Sequence, residues 1–478
     1  MQSSFEYIPK DKRKKILLIC DDIRVHSGVA TVAREIVVKT SHHFNWVNIA
    51  GSVNHPEKGK RLDLSADTGK NSNIDDAYTM LYPVDGYGTQ DFIREVIKVE
   101  NPDAIMLITD PRYFEFIFQM ENELRQQIPI AYLNIWDDYP APLYNKAFYE
   151  GCDLLMGISQ QTKNINHLVL GDKAKDKVLR YIPHGLDSNL FYPMTDDEFT
   201  TNEFINFKKS IFGDKEFEYV VFFNSRNIRR KQVPDTLLAF RHFLDKLPKE
   251  EADKCAILLH TDMVSDHGTD LPAVIELLFE GFMDNVVFTH GKFAATQMNW
   301  LYNMSDTQIL LSSNEGWGLS LTEALLTGTP IVANVTGGMQ DQMRFSNNGK
   351  WVELDENFPS NHRGTYKECG NWVKPVFPTS RSLQGSPKTP YIWDDRCNPE
   401  DAAEAILYWY NNPNRKELGL EGKDWATSDE AGFTATHQAD RIIEAFNTLF
   451  ETWKPRPKFE FINVNEIENK VIPHKLLY

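Results

Sequence analysis

The sequence is short of cysteine and of positive charge, and it has no long apolar run. Its five cysteines, Cys20, Cys152, Cys255, Cys369 and Cys397, lie far apart, and none forms a C-x-x-C pair. An odd, scattered set builds neither a disulfide framework nor a zinc site and fits a reducing compartment. Lys and Arg number 51 against 68 Asp and Glu, a net charge of -17. That balance disfavours a whole-surface footprint for nucleic acid or anionic lipid and leaves open only a local basic cleft. Nowhere does an apolar stretch reach the roughly 18 residues of a membrane span. The N-terminus is polar and then basic, without the apolar core of a signal peptide. A cytoplasmic protein is expected, with the basic run from Lys10 to Lys15 a solvated tail before the first strand.

Apolar residues make up 41% of the 478 positions and aromatics 12%, the composition of a soluble globular chain. At about 100–200 residues per domain, two or three domains are expected. Short apolar runs alternate with amphipathic helical stretches, the rhythm of a doubly wound α/β fold with parallel strands, and the rhythm occurs twice. The first series of strand candidates is 16–20, 46–50, 104–108, 131–135 and 154–158, with a helix over 29–39. The second is 219–223, 256–259, 286–289, 308–311 and 330–333, with Pro234 near a helix start. The polar stretch around 194–217 reads as the linker. Residues 355–399 are rich in Pro, Gly, Ser and Asn and read as an insertion. Helices are expected at 399–410 and 435–453.

The densest chemical signal is Asn314-Glu315-Gly316-Trp317-Gly318-Leu319-Ser320-Leu321-Thr322-Glu323-Ala324. It follows a strand and leads into a helix. Gly316 and Gly318 let the backbone approach a ligand, and the free N–H groups at the helix start favour an anion. Glu315 in the loop and Glu323 in the helix can both face a cleft at the carboxyl end of the sheet. Alone, two glutamates eight apart are as well read as a cap or surface charges.

In context, Glu315-x7-Glu323 followed by Gly328, Thr329-Pro330-Ile331-Val332-Ala333 and Gly337-Gly338 resembles the signature of family-4 glycosyltransferases of the GT-B fold (glycosyl transferases group 1). Three more segments agree in order. Asn224-Ser225-Arg226 with Lys231 is similar to the family's Arg and Lys pair on the donor diphosphate, whereas Arg229 and Arg230 read as an exposed cluster. Ile182-Pro183-His184-Gly185-Leu186-Asp187 resembles the end of the family's N-terminal domain, and no catalytic role is assigned to His184. Ser27-Gly28-Val29-Ala30-Thr31 is like the glycine loop near the donor phosphates. Gly291, flanked by His290 and Lys292, sits where the resemblance expects the loop beside the nucleobase. Where the family has a His that approaches the transferred sugar, this chain has Trp136, followed by Asp137. Asp137 can take over part of that polar role, while Trp136 either stacks on a sugar ring or is a packing residue.

The resemblance implies two Rossmann-like domains facing each other across a cleft: an acceptor domain over 1–193, a linker over 194–217, and a donor domain over 218–440 with the insertion. A C-terminal helix around 440–478 is expected to pack back on the first domain. It also implies a retaining transferase, hexosyl or pentosyl, that takes a UDP- or GDP-sugar and needs neither cofactor nor metal. Its catalytic candidates are Glu315, Arg226, Lys231 and Asp137. Its donor-binding candidates are Gly28, Gly291, Gly316, Trp317, Gly318, Leu319, Ser320 and Glu323. Glu315 is expected on donor-sugar hydroxyls and Glu323 on ribose hydroxyls. The acceptor stays open among glycan, protein, lipid and modified nucleic acid, as does the oligomeric state. Two rival readings remain, a sugar-nucleotide epimerase or hydrolase and a non-catalytic partner subunit.

Overall fold

The computed structural model describes residues 3–52, 54–289, 291–353 and 361–458. Two separate parallel sheets organise it. The first contains β1 (Lys14–Asp21), β2 (Phe44–Gly51), β3 (Leu62–Asp63), β4 (Thr79–Pro83), β5 (Ala104–Ile108), β6 (Ile130–Asn134), β7 (Leu154–Gly157) and β8 (Val178–Tyr181). Their order across the sheet is β3-β4-β2-β1-β5-β6-β7-β8, and only β3 runs antiparallel. The second sheet takes β9 (Tyr219–Asn224), β10 (Cys255–His260), β11 (Val286–Phe288), β12 (Thr307–Leu310) and β13 (Ile331–Asn334). Small antiparallel pieces follow, β14 (Ser346–Asn347) with β15 (Lys350–Trp351), before the sixth strand, β16 (Val373–Val376). The order is β11-β10-β9-β12-β13-β16. The central strands β5, β12 and β13 are buried along their whole length, and β1 from Ile16 onward, which is why they read as unbroken apolar runs rather than as alternating ones.

Strand order reverses between β1 and β5 in one sheet and between β9 and β12 in the other. In open α/β sheets such switch points, at the carboxyl ends of the strands, are where ligands bind. The two switch points open onto the same cleft.

Several expectations need correction. The run Lys10 to Lys15 is no free tail: β1 already starts at Lys14, and Arg13 is buried with its guanidinium 2.6 Å from Asp76. The stretch 194–217, read as a linker with some helix of its own, does carry helix. It forms helices Asp196–Phe199 and Asn202–Phe212, and Phe207 lies 5.3 and 5.2 Å, ring to ring, from Phe293 and Trp300 of the second lobe. The segment 355–399 is only partly an insertion. Residues 355–360 fall outside the described residues, but β16 within it completes the second sheet and pairs Pro375 with Ala333. A sheet edge tolerates the proline that hid this strand. Beyond it, β17 (Ser380–Ser386) and β18 (Thr389–Arg396) form a hairpin.

The helix Pro399–Tyr410 lies against the helix Val233–Leu244 in the second lobe. The helix Ala435–Thr452 returns to the first lobe, against the helix Gly28–Thr40, with Phe446 5.7 Å from Phe44. The chain therefore passes between lobes twice, and the two passages are bonded to each other: Leu186 N–H to the Phe433 carbonyl at 3.2 Å, and Ala435 N–H to the Leu186 carbonyl at 2.8 Å. The tail 459–478 lies outside the described residues.

Candidate active site

The cleft between the lobes encloses about 840 Å3. Its second-lobe wall is built by four turns, at the carboxyl ends of β9, β10, β11 and β12. After β12, the loop turns inward and buries Asn314 and Glu315. Gly318, at φ +88, then starts the helix Leu319–Leu326 in a backbone conformation that side-chain-bearing residues rarely adopt. After β9, a 3-10 turn over Arg229–Lys231 swings Lys231 onto the Glu315 carboxylate, and Arg230 Nη1 reaches the same carboxylate at 3.0 Å. Arg230 Nη1 also donates to the Asn314 carbonyl at 2.9 Å.

The first lobe contributes Asp137. Its Oδ1 accepts the Gly316 N–H at 3.0 Å, and its Oδ2 lies 3.8 Å from Arg230 Nε. Two carboxylates and two cations thus meet where the lobes touch. Burial alone raises the Glu315 carboxyl, but Arg230 and Lys231 overcome it and bring it down to about 2. Burial pushes Asp137 above the ordinary carboxylate range, with Arg230 opposing and Glu315 reinforcing the rise. Burial likewise draws the Lys231 ammonium down against the pull of Glu315. With Arg230 supplying a second positive charge, Glu315 is held ionised.

Gly316 is required here by space rather than by φ. A Cβ on it would stand 2.8 Å from the Ile135 carbonyl and 3.2 Å from Asp137 Oδ1 of the facing lobe. Two helix starts also look across the cleft. The helix Gly28–Thr40 is capped by Ser27, whose hydroxyl accepts from Ala30 N–H at 3.0 Å and donates to Asp21 at 2.6 Å. A methyl at Gly28 would come within 3.9 Å of Leu319 Cδ1, at the start of the opposing helix. Helix N-termini concentrate unpaired N–H groups and partial positive charge, so the pair frames a place for an anion.

Farther along, Glu323 accepts from Asn224 Nδ2 at 3.0 Å and from the Tyr302 hydroxyl, and burial raises its carboxyl. At the end of β10, His260 stacks on Phe293 at 5.5 Å and touches the Thr289 hydroxyl at 2.6 Å, beside Gly291 and Lys292. His290 lies outside the described residues.

Every sequence candidate lines this one cleft: Gly28, Asp137, Arg226, Lys231, Gly291, Glu315, Gly316, Trp317, Gly318, Leu319, Ser320 and Glu323. Their situations differ. Arg226 is exposed at the wall, whereas Arg230, expected in an exposed cluster, is bonded to Glu315 together with Lys231. The correction is geometric: the 3-10 turn, followed by Gln232 at φ +50, rotates Arg230 and Lys231 inward together. Trp317 contributes to the wall, but its indole is buried and donates to Thr322 at 2.9 Å. Trp136 is a packing residue. Its indole N–H donates to the Asp138 carbonyl at 2.7 Å, and its ring meets Tyr144 edge-on at 5.8 Å. His184 stands in the wall, edge-on to Trp317 at 6.2 Å, and burial lowers it to about 4, so it is neutral.

Residues 204–357 match the family model described as glycosyl transferases group 1. An uncharacterized glycosyltransferase of Methanocaldococcus jannaschii is 27% identical over 204 residues, 43% of this chain and 47% of the relative. The alpha-monoglucosyldiacylglycerol synthase of Acholeplasma laidlawii is 24% identical over 207 residues, 41% of this chain and 48% of that protein. The matched stretch spans about half the length of these curated relatives. Among solved structures, HepE of Anabaena in complex with UDP and glucose superposes with a TM-score of 0.61 at 14% identity, over 91% of this chain and 100% of that one. The fold is GT-B, two Rossmann-like domains across a cleft.

Proposed function

We propose that this chain, a GT-B fold carrying a glycosyl transferases group 1 domain, is a retaining glycosyltransferase that takes its sugar from a nucleotide-diphosphate donor. The observation that carries the reading is the convergence, in one cleft, of Arg226 and Lys231 with Glu315, Glu323 and two facing helix starts. A diphosphate laid between those helix starts finds N–H groups on both sides and cations at its edge.

In the transfer, the bond from the sugar's anomeric carbon to the diphosphate oxygen breaks, and the diphosphate leaves with the electron pair. The acceptor hydroxyl oxygen bonds to the same face of that carbon, and its proton passes to a diphosphate oxygen. Charge grows on the leaving group as this happens, and preorganised donors aimed at it lower the barrier without a metal. Glu315, fixed by two cations, is suited to holding sugar hydroxyls rather than to covalent attack. Glu323, oriented by Tyr302 and Asn224, is suited to the ribose. Contact between the lobes excludes water that would otherwise hydrolyse the donor.

A panel of UDP- and GDP-sugars tests this, read first by protection against thermal unfolding and then by nucleotide release with and without hydroxyl acceptors. Acceptor-dependent release with the anomeric configuration kept is the expected result. An altered nucleotide sugar formed without acceptor would establish an epimerase, and binding without turnover a non-catalytic subunit.

A further inference from the structure

The hairpin β17–β18 lies beyond the stretch that matches the family, yet it runs between the lobes and into the back of the site. Its outer end holds the first lobe. Trp393 N–H donates to the Tyr139 carbonyl at 2.8 Å, the Tyr144 hydroxyl donates to the Tyr391 carbonyl at 3.0 Å, and Arg112 reaches the Thr389 hydroxyl at 2.6 Å. Its root holds the second lobe. Asp395 N–H donates to the Ser313 carbonyl at 2.8 Å, and the Asp395 carbonyl accepts from Asn334 Nδ2 at 2.8 Å.

Between these anchors lies Asp394, only 2% exposed. Its Oδ1 accepts from Asn314 Nδ2 at 2.8 Å, and the neighbouring Trp393 carbonyl accepts from the same amide group at 3.1 Å. Its Oδ2 pairs with Arg229. Asn314 and Arg229 are the residues immediately before Glu315 and Arg230. The Asn314 side-chain amide is thus fixed on the hairpin while the backbone carbonyl of Asn314 fixes Arg230. One buried carboxylate thereby grips both chain segments that bring Glu315 and Arg230 together.

We propose that Asp394 is a positioning residue for glycosyl transfer, setting the aim of Glu315 and Arg230 through Asn314 and Arg229. The proposal rests on the glycosyltransferase reading. An aim wrong by about an ångström is enough to cost turnover on the order of 100-fold while ligand binding survives.

The experiment compares wild type, Asp394→Ala, Asp394→Asn, Asn314→Ala and the double variant Asp394→Ala/Asn314→Ala. Calorimetry with UDP and GDP counts nucleotide-binding sites, and nucleotide release from UDP- and GDP-sugars in the presence of the hydroxyl acceptors is then expressed per binding site. Asp394→Ala is expected to lower kcat about 10- to 100-fold with nucleotide affinity within about twofold. Asp394→Asn, which keeps the acceptor for Asn314, is expected to recover part of the loss. The double variant is expected to be no worse than the poorer single one, because both act through one link.

Unchanged kcat per binding site, or losses that multiply in the double variant, would overturn the positioning role. So would loss of nucleotide binding in both Asp394→Ala and Asp394→Asn, since the residue would then serve the fold. A wild type that releases nucleotide from none of the sugars overturns the glycosyltransferase reading instead.

Discussion

At the scale of single residues, the site is a balance of four charges, Asp137, Glu315, Arg230 and Lys231. Lys231 is the member whose loss the fold best withstands, because Arg230 still neutralises Glu315. On the proposed reading the leaving diphosphate keeps only Arg226 and the helix starts once Lys231 is gone. Lys231→Ala is therefore expected to lower kcat by about 100- to 1000-fold, the range seen when one preorganised charge-stabilising donor is removed. The melting temperature should change by only a few degrees. Initial rates beside a thermal melt check this, and a variant that transfers at the wild-type rate refutes the role.

The residue scale is also where sequence reading was most uneven. Glu315, Gly316 and Glu323 stood out because a strand, a glycine turn and a helix follow one another without interruption, so neighbours in sequence are neighbours in the cleft. Arg226, Arg229, Arg230 and Lys231 were harder to rank. Nothing local tells which of several adjacent cations turns inward, and a 3-10 turn ending at a left-handed Gln232 decided it. Asp394 was invisible, because its partner Asn314 is 80 residues away and the link is made by a hairpin whose first strand, Ser380–Ser386, is almost wholly polar.

At the scale of elements, the loops after β6 and β12 touch through Gly316. Alanine there suits the local backbone and meets trouble across the lobe boundary, at Ile135, Ile158 and Asp137. Gly316→Ala is thus expected to leave each lobe folded while holding the lobes apart. Transfer should drop at least about 10-fold with a melting temperature near wild type, because a misaligned site loses the advantage of orientation. Small-angle scattering in saturating nucleotide should show a larger radius of gyration than wild type, and identical scattering with full activity would contradict the contact's importance. Elements were legible where apolar runs were continuous, as in β1, β5 and β9. They were missed at two edges that admit polar residues or proline, β8 half-exposed along its length and β16 reading Val-Lys-Pro-Val, and at the buried inner strand β4, which reads Thr-Met-Leu-Tyr-Pro. An edge strand needs only one covered face, and its composition advertises it less.

At the scale of the whole molecule, the lobes are also joined away from the cleft by Asp341, whose Oδ2 accepts from Gln160 N–H and the Tyr181 hydroxyl, both at 2.9 Å. Burial pushes this carboxyl up to about 7 from an ordinary 3.8. A raised acid in the folded state binds its proton more tightly than in the unfolded chain, so its contribution turns unfavourable as pH climbs from about 4 to 7. The gap between about 7 and 3.8 sets that loss at no more than about 4 kcal/mol. Asp341→Asn keeps the acceptor oxygen without the charge. Its melting temperature should exceed that of wild type by a margin that widens between pH 5 and pH 8, and a margin equal at both would exclude Asp341 as the source. On the proposed reading the donor diphosphate is held by the chain's own cations, so enzyme treated with EDTA is expected to keep its transfer rate. Strong recovery on adding Mg²⁺ or Mn²⁺ would contradict that.

The helix Ala435–Thr452 completes a lobe whose other elements end near residue 181. On the ribosome, the first half of the protein must wait through the synthesis of the entire second half before its last wall arrives. Until then the apolar groove beside the helix Gly28–Thr40 faces water. Birth order and architecture are at odds in this chain, and the interval between them is when the nascent molecule is most exposed to sticking to its neighbours.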